Sequence, residues 1–306
     1  MKKAILLLLV AVAFCSSCKK DQKKGPATPP KTYKVNFNVS DFTQILVGQS
    51  TNTPHTDGLK TNTTPPLSSY IDVLYYYVIN SNNTLVRSLE QLSDASNFGT
   101  IADELPAGSY TIIFAAGKTG LNAGAFETLD QAYLKGYGTG TPALPWKDTF
   151  FKKFTITVTA AGVNQSVSLD RIVSQLTLNI EDAIPANAHS IEITARTYLE
   201  YSFLTAGPYP TPPTDNFVST FIIPASAIGT TNYKVSLITL NTTDPSSVKI
   251  VCKDASGNIL ASTIVNNVIM HPNTQTILSG QLFATNSQFN LTANAKWDPA
   301  TINISF

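Results

Sequence analysis

The sequence predicts an all-β protein, with two tandem antiparallel β-sandwiches behind a signal peptide and a tether. Short stretches in which apolar and polar residues alternate recur from residue 33 to residue 265, and this period of two is typical of half-buried strands. Only residues 126–135 have apolar side chains at helical spacing, so one short helix is expected there. Strands without recurring helices favour antiparallel sandwiches over a parallel sheet.

Residues 1–17 predict a bacterial lipoprotein signal peptide. Two lysines precede an apolar run at residues 4–14, and two serines precede Cys18. The run is shorter than the roughly 20 residues that span a bilayer, and an ordinary secretory signal or a short transmembrane helix are the alternatives. Acylation of Cys18 predicts a lipid anchor, because each buried methylene stabilises membrane association by about 0.8 kcal/mol. Cys15 is a poor lipid site, because the bulky Phe14 precedes it.

The rest of the chain divides into three predicted parts. Residues 18–31 carry the lipidated cysteine and then lysines and prolines, a composition that suits a flexible tether. Residues 32–169 and 170–306 are predicted as an N-terminal and a C-terminal sandwich, each of ordinary domain size. Long surface loops are expected at residues 48–66 and 201–216, where turn residues replace the alternating pattern.

Composition argues against a disordered or nucleic-acid-binding protein. Hydrophobic residues make up 43% of the chain, charged residues 13%, and the net charge is +1 at pH 7, so no strong field attracts a polyanion. Once Cys15 leaves with the signal and Cys18 is acylated, Cys252 is the last cysteine and no internal disulfide can form. The alternation of Val248, Ile250 and Cys252 predicts a buried, inert thiol.

No pattern predicts catalysis, a metal or a cofactor. Residues 117–119 match the tail of a phosphate-binding loop, but Ile112 stands where that loop requires its first glycine. The three histidines are far apart and no second cysteine could complete a zinc site. They are His55, His189 and His271. The acidic pairs at residues 103–104 and 181–182 are expected as turn or edge residues, with a glycosidase pair as the alternative. We therefore expect no enzyme.

Aromatic residues give two candidate ligand surfaces. Tyr201 and Tyr209 fall in the expected Pro-rich loop, where exposed rings with polar tips suit contact with a ligand such as a sugar. The three tyrosines at residues 75–77 lie within a stretch, residues 70–79, that is apolar on both faces. That pattern predicts a central strand, so core packing is the better interpretation for this second group.

Several segments resemble the fimbrillin-like family of fimbrium subunits and fimbrium-anchoring lipoproteins. They are residues 71–79, residues 98–101 (Phe-Gly-Thr-Ile) and residues 105–117. Residues 170–185, which begin Asp-Arg-Ile-Val, look like the opening of that family's second domain, and residues 297–306 look like its closing strand. The likeness spans nearly the whole mature chain and consists of strand and turn patterns.

The resemblance implies two transthyretin-like sandwiches on an outer-membrane lipoprotein that binds fimbrial subunits by strand exchange. In such an exchange, an incoming strand pairs with open backbone groups while its alternate side chains fill apolar pockets. The terminal strands are the candidates for exchange. Their core-facing residues are Tyr33, Val35, Phe37 and Val39 at one end and Ile302 and Ile304 at the other. The loop at residues 48–66 contains no arginine, which argues against processing as a stem subunit.

Two functions follow from these observations. The first is a non-enzymatic fimbrium anchor or accessory subunit, held by lipid in the outer membrane, with fimbrial subunits as partners. The alternative is a surface lipoprotein that captures a glycan or a host protein through Tyr201 and Tyr209. Lysines, and not the acidic residues common in displayed lipoproteins, follow Cys18. Which side of the outer membrane the domains face therefore stays open.

Overall fold

A computed structural model describes residues 29–43, 66–137, 146–209, 214–240, 244–284 and 289–294. The prediction of an all-β protein is confirmed, because these residues form strands and only three short 3₁₀ turns. The turns are Leu67–Ser69, Leu129–Gln131 and Ala225–Ala227. Predictions made for Cys18, His55, Ile302, Ile304 and all but the last residue of the loop at 48–66 lie outside the described residues.

The strands of the first half are β1 (Thr32–Thr43), β2 (Val73–Asn80), β3 (Leu85–Leu92), β4 (Thr100–Pro106), β5 (Gly108–Gly117), β6 (Tyr133–Leu134), β7 (Thr149–Val158) and β8 (Val163–Arg171). Those of the second half are β9 (Ser174–Ile180), β10 (Ser190–Thr197), β11 (Tyr201–Ser202), β12 (Gly207–Pro208), β13 (Thr214–Ile222), β14 (Tyr233–Thr239), β15 (Ser246–Lys253), β16 (Ile259–Val268), β17 (Gln275–Gly280) and β18 (Phe289–Asn294).

The main sheet of the first half folds back on itself. Its strand order is β3-β2-β5-β7-β8-β1-β4. β7 and β8 pair only near the start of β7, at Phe150 and Phe151, so the sheet divides there into two layers, β3-β2-β5-β7 and β8-β1-β4. The opposite side is open, and there Arg87 of β3 and Asp103 of β4 form an ion pair of 3.2 Å.

An apolar core fills the space between these two layers. The ring of Phe37 in β1 lies 5.9 Å from that of Tyr76 in β2 and 5.6 Å from that of Phe114 in β5, between centroids. Because β1 is a sheet neighbour of neither strand, these contacts cross the sandwich. Burying an apolar side chain of this size stabilises the fold by about 1.5–3 kcal/mol, so face-to-face packing holds the layers together.

The second half is a sandwich of two four-stranded sheets, in the orders β14-β9-β17-β18 and β13-β10-β15-β16. Side chains such as Leu178, Ile193 and Ile250 form one buried core. The expected burial of Cys252 in this core is confirmed, and burial raises the pKa of its thiol to about 11. The turn at residues 254–258 joins β15 to β16.

Two strand pairs correct the expectation of purely antiparallel sandwiches. β1 runs parallel to β8, and β9 runs parallel to β17. Parallel neighbours need a long crossover, and in both cases most of one half of the chain lies between the two strands. Alternation within a strand carries no information about the direction of its neighbour, so the sequence pattern did not reveal these pairs.

A third apolar cluster, called here the junction cluster, contains residues from both halves. Ile113 and Phe151 enter it from the outer face of the first sandwich, and Tyr201 and Phe203 enter it from the second half. Short strands β6, β11 and β12 form a small sheet beside it. Residues 126–135 form the 3₁₀ turn Leu129–Gln131 and β6 in place of the expected helix, and the long loop expected at 201–216 contains β11, β12 and the start of β13.

A buried ion pair crosses the same region. The guanidinium of Arg171 donates to both carboxylate oxygens of Asp148, at 2.7 and 3.1 Å, and to Oδ1 of Asn273 at 2.7 Å. It also lies 5.0 Å from the ring centroid of Phe150. Burial raises the pKa of the Asp148 carboxyl, and Arg171 opposes that rise. Arg171 therefore ties the connection before β7 to the second half of the chain.

The described residues from Thr32 onward belong to one compact unit. Division into independent domains at residues 169 and 170 stays a prediction, because the junction cluster contains side chains from both sides of that boundary. Within the described ranges, no helix has the length and apolar character needed to cross a membrane.

We expect the Arg171→Met substitution to lower the free energy of unfolding by about 3–5 kcal/mol, because it leaves a buried carboxylate without its partner. Burial already raises the pKa of the Asp148 carboxyl, and loss of Arg171 raises it further, so the deficit is largest above that raised folded pKa and shrinks as the pH falls through it. Urea unfolding at several pH values measures both effects.

Lys152→Met is the matched control, since Lys152 and Asp170 form an ion pair of 2.9 Å whose side chains are 35% and 48% exposed. Exposed pairs of this kind contribute less than about 1 kcal/mol. Equal losses in the two variants would contradict a structural role for the buried pair.

Candidate functional site

The N-terminal strand predicted for exchange lies inside a sheet. β1 pairs antiparallel with β4 and parallel with β8. Val35, Phe37 and Val39 are at most 3% exposed, and the half-buried Tyr33 packs against the same core. The predicted alternation is confirmed, but β1 is not an open terminal strand. Its exchange would have to separate ladders on both of its edges, and the exchange itself stays a prediction.

The open side of the first sandwich is bounded by β3 and β4, the two end strands of the sheet. Besides the ion pair between Arg87 and Asp103, the hydroxyl of Tyr76 donates to Asp103 at 3.4 Å. Burial and this carboxylate together raise the pKa of the Tyr76 phenol well above its usual value. A cleft of about 480 Å³ beside the pair is lined by Lys34, Asn36 and neighbouring residues. The end strands leave backbone groups able to pair with an added strand.

The exposure predicted for Tyr201 is wrong, and its ligand contact stays a prediction. Tyr201 is 6% exposed, and its ring meets that of Phe151 edge-on with centroids 5.0 Å apart. Burial raises the pKa of its phenol. The reason is tertiary, because β11 pairs with β6 of the first half and thereby directs the ring into the junction cluster. Tyr209 is half-buried with its ring 6.0 Å from that of Tyr133, and its role in ligand contact stays a prediction.

The three consecutive tyrosines of β2 divide between the two faces of the sheet. Tyr76 is buried in the sandwich core and Tyr77 in the junction cluster, so the core interpretation is confirmed for these two. Tyr75 is only half-buried and shares the face of Tyr77. Their rings lie nearly parallel, 13° apart, with centroids separated by 6.2 Å.

An open groove of about 620 Å³ lies over this pair of rings. Its walls are β3 on one side and residues 121–126 on the other, and the side chains of Ser88, Glu90 and Asn122 contribute to its lining. The groove is called here the tyrosine groove. Cavities of roughly 300–1,000 Å³ are typical of small-molecule sites, so its size suits a compact ligand.

The motifs considered for catalysis have structural partners. Asp72 accepts hydrogen bonds from the backbone N–H and the hydroxyl of Thr119, at 2.9 and 3.0 Å, and pairs with Lys118 at 3.4 Å. Residues 117–119 thus fix a turn at the end of β5. Asp182 accepts backbone hydrogen bonds from Leu282 and Phe283, at 3.1 and 2.6 Å.

The part of the chain that the structure describes contains no group of three or more metal-ligating side chains. His189 and His271 are both exposed, as expected for loop residues. The described geometry therefore brings none of the residues considered for catalysis or metal binding together.

The polar residues of the tyrosine groove carry no motif in the sequence. Ser88 and Glu90 lie in an edge strand that reads as ordinary alternation, and Asn122 lies in a connection with no regular pattern. The short turn between β2 and β3 is the one feature of the sequence that places Ser88 and Glu90 near the tyrosines of β2. No comparable feature places Asn122 there.

Comparisons with known proteins agree with the all-β fold. No protein-family model and no curated protein matches the sequence. Among solved structures, a "putative adhesin" from Bacteroides ovatus superposes with a TM-score of 0.56 at 13% identity, covering 87% of this chain and 95% of that one. One described as putative polysaccharide binding proteins, from Bacteroides thetaiotaomicron, gives 0.50 at 11% identity, covering 73% and 90%.

The fimbrial anchor protein Mfa2 from Porphyromonas gingivalis is a third similar structure, with a TM-score of 0.49 at 12% identity over 86% of this chain and 97% of that one. At these identities the likeness concerns the fold. The chain therefore has the β-sandwich fold of the Bacteroides adhesin structure, so the sandwich class expected from its resemblance to the fimbrillin-like family is confirmed, whereas the number of domains stays a prediction.

Proposed function

We propose that this protein is a non-enzymatic lipoprotein of the outer membrane and cell surface that serves as a fimbrium anchor or accessory fimbrial subunit. In this proposal, Cys18 carries the lipid and partner subunits bind by β-strand complementation. The fold shared with an adhesin structure and the resemblance to fimbrium subunits both support it. The single observation that carries it is the position of β1 between two neighbouring strands of its sheet, called here the seat of β1.

That seat has the properties of a slot for one strand. It is bounded by β4 on one side and β8 on the other, and pairing with both provides two ladders of backbone hydrogen bonds. Its floor is apolar where Val35, Phe37 and Val39 enter. A strand with apolar residues at every second position is the only kind of segment that satisfies both the ladders and the floor.

Two glycines shape the ends of this slot. Gly162 has a φ of +71°, and a Cβ added to it would lie 2.5 Å from the backbone oxygen of Lys34. Gly99 has a φ of +87°, and a Cβ there would lie 2.9 Å from the backbone oxygen of Val39. The neighbouring backbone thus approaches β1 more closely than any side chain allows, which favours a close fit between the slot and a strand.

We expect Gly162→Ala to loosen β1, because the new methyl group collides with the backbone of Lys34 in addition to the strain of the left-handed conformation. Gly257→Ala is the control, since Gly257 has a φ of +85° and no atoms near its Cβ position. The conformational strain of about 1–2 kcal/mol is common to both. Amide hydrogen exchange of residues 32–43 should accelerate in Gly162→Ala alone, and equal exchange in both variants would count against a tight slot.

Lipid anchoring is tested by the Cys18→Ser substitution. We expect the variant to lose its acyl groups and to leave the membrane fraction, because the thioether bond has no alternative site. Mass spectrometry of the N-terminal peptide and cell fractionation measure the two effects. Cys15→Ser should change neither, and an acylated or membrane-bound Cys18→Ser protein would refute the anchor.

Strand complementation by the C-terminus is tested by placing charges on alternate positions. Ile302→Asp with Ile304→Asp should prevent incorporation into fimbriae, because a carboxylate cannot enter an apolar slot without a cost of several kcal/mol. Asn303→Asp with Ser305→Asp adds the same charge to the opposite face and should be tolerated. The amount of the protein in purified fimbriae is then measured. If both double variants are incorporated, or if both are lost, the C-terminal strand is not the one that binds the partner.

A further inference from the structure

The tyrosine groove has a rigid aromatic floor. The hydroxyl of Tyr75 donates to the backbone oxygen of Leu121 at 3.0 Å, which fixes its ring relative to the opposite wall. Tyr77 packs against the rings of Phe126 and Phe203, with centroids at 5.0 and 5.8 Å. A floor that is already ordered lowers the entropic cost of binding.

Polar side chains at the rim of the groove have unused hydrogen-bonding capacity. Within the described residues, the Ser88 hydroxyl and the Glu90 carboxylate have no protein partner, and both side chains are exposed. Asn122 uses its Oδ1 to accept from the backbone N–H of Gly124 at 2.9 Å, which leaves its Nδ2 donor free. The rim thus offers a donor, an acceptor and a hydroxyl that can act as either.

Glu90 lies close to the aromatic floor. After burial, which is the larger cause, its carboxylate contributes to raising the pKa of the Tyr75 phenol. The Tyr77 phenol is affected in the same way, with burial first and the charges of Tyr75 and Glu90 next. One negative group therefore faces the same space as the two rings, and among the residues that the structure describes it is the only charged side chain lining the groove.

We propose that the tyrosine groove is a binding site for a neutral saccharide. The C–H groups of a sugar ring suit contact with the half-buried aromatic ring of Tyr75, which lines the groove, and the sugar hydroxyls can pair with Ser88, Glu90 and Asn122 together. A cationic side chain of a protein partner would interact with the Glu90 carboxylate and the rings but would give the Nδ2 donor of Asn122 no acceptor. Sialylated or sulfated sugars would meet the like charge of Glu90 without a compensating cation.

This site is separate from the strand slot of the proposed function. The slot lies between β4 and β8 and faces the sandwich core, whereas the groove lies on the opposite face of β2 and beside β3. An experiment can therefore disprove saccharide binding without disproving strand complementation, and the reverse is also true.

The test uses the full mature chain, purified in detergent, on an array of neutral, sialylated and sulfated oligosaccharides, followed by calorimetry with the strongest neutral binder. Glu90→Gln keeps the shape of the side chain and removes its charge, and we expect affinity to fall about tenfold, as for loss of a hydrogen bond to a charged group. Ser88→Trp fills the groove from an exposed strand position and should abolish binding.

Glu181→Gln is the matched control, since Glu181 is an exposed glutamate of the second half and should leave affinity unchanged. Thermal unfolding of all three variants checks that they are folded. The inference is overturned if the array shows no neutral saccharide bound, if only acidic sugars bind, or if Glu90→Gln and Ser88→Trp both bind like the unaltered protein.

Discussion

β2 is apolar on both faces, and this constraint determines how the rest of the molecule is arranged. Leu74 and Val78 face the sandwich core, whereas Val73 and Ile79 face the junction cluster. A sheet with two apolar faces must be covered twice. β1, β4 and β8 cover one face, and the long connection after β5 together with residues from the second half covers the other. The association of the two halves follows from the need for that second cover.

The two layers of the first sandwich are joined on one side only, so groups able to bind a partner lie on the other side. β7 and β8 join the layers near Phe150, so backbone groups there are paired. β3 and β4 end the sheet, and the ion pair of Arg87 with Asp103 is the contact described between them. Arg87 is half exposed, so water screens its side of that pair. Both the strand slot and the tyrosine groove adjoin these end strands, where the fold still has groups available for a partner.

Buried and exposed polar groups in this protein have different roles. Arg171, Asp148 and Asn273 satisfy one another, as polar groups removed from water must, and they act on stability. Ser88 and Glu90 are exposed without a protein partner among the described residues, and Asn122 keeps its Nδ2 donor free, so water can satisfy these groups at little cost to folding. A structural polar cluster therefore differs from a candidate binding surface in whether its groups already have hydrogen-bond partners within the protein, more than in residue type.

The alternating pattern by itself indicated many of the longer strands up to residue 265, the core face of β1 and the burial of Cys252, because a period of two is a local property that each strand carries in its own residues. It could not determine what covers each face. Residues 126–135 have helical spacing, yet pairing with β11 makes part of them a strand, and Tyr201 is buried by the same contact. Ser88, Glu90 and Asn122 meet only because the connection after β5 returns over β2. Such neighbours are brought together by burial of apolar surface between distant segments, which only the tertiary structure decides.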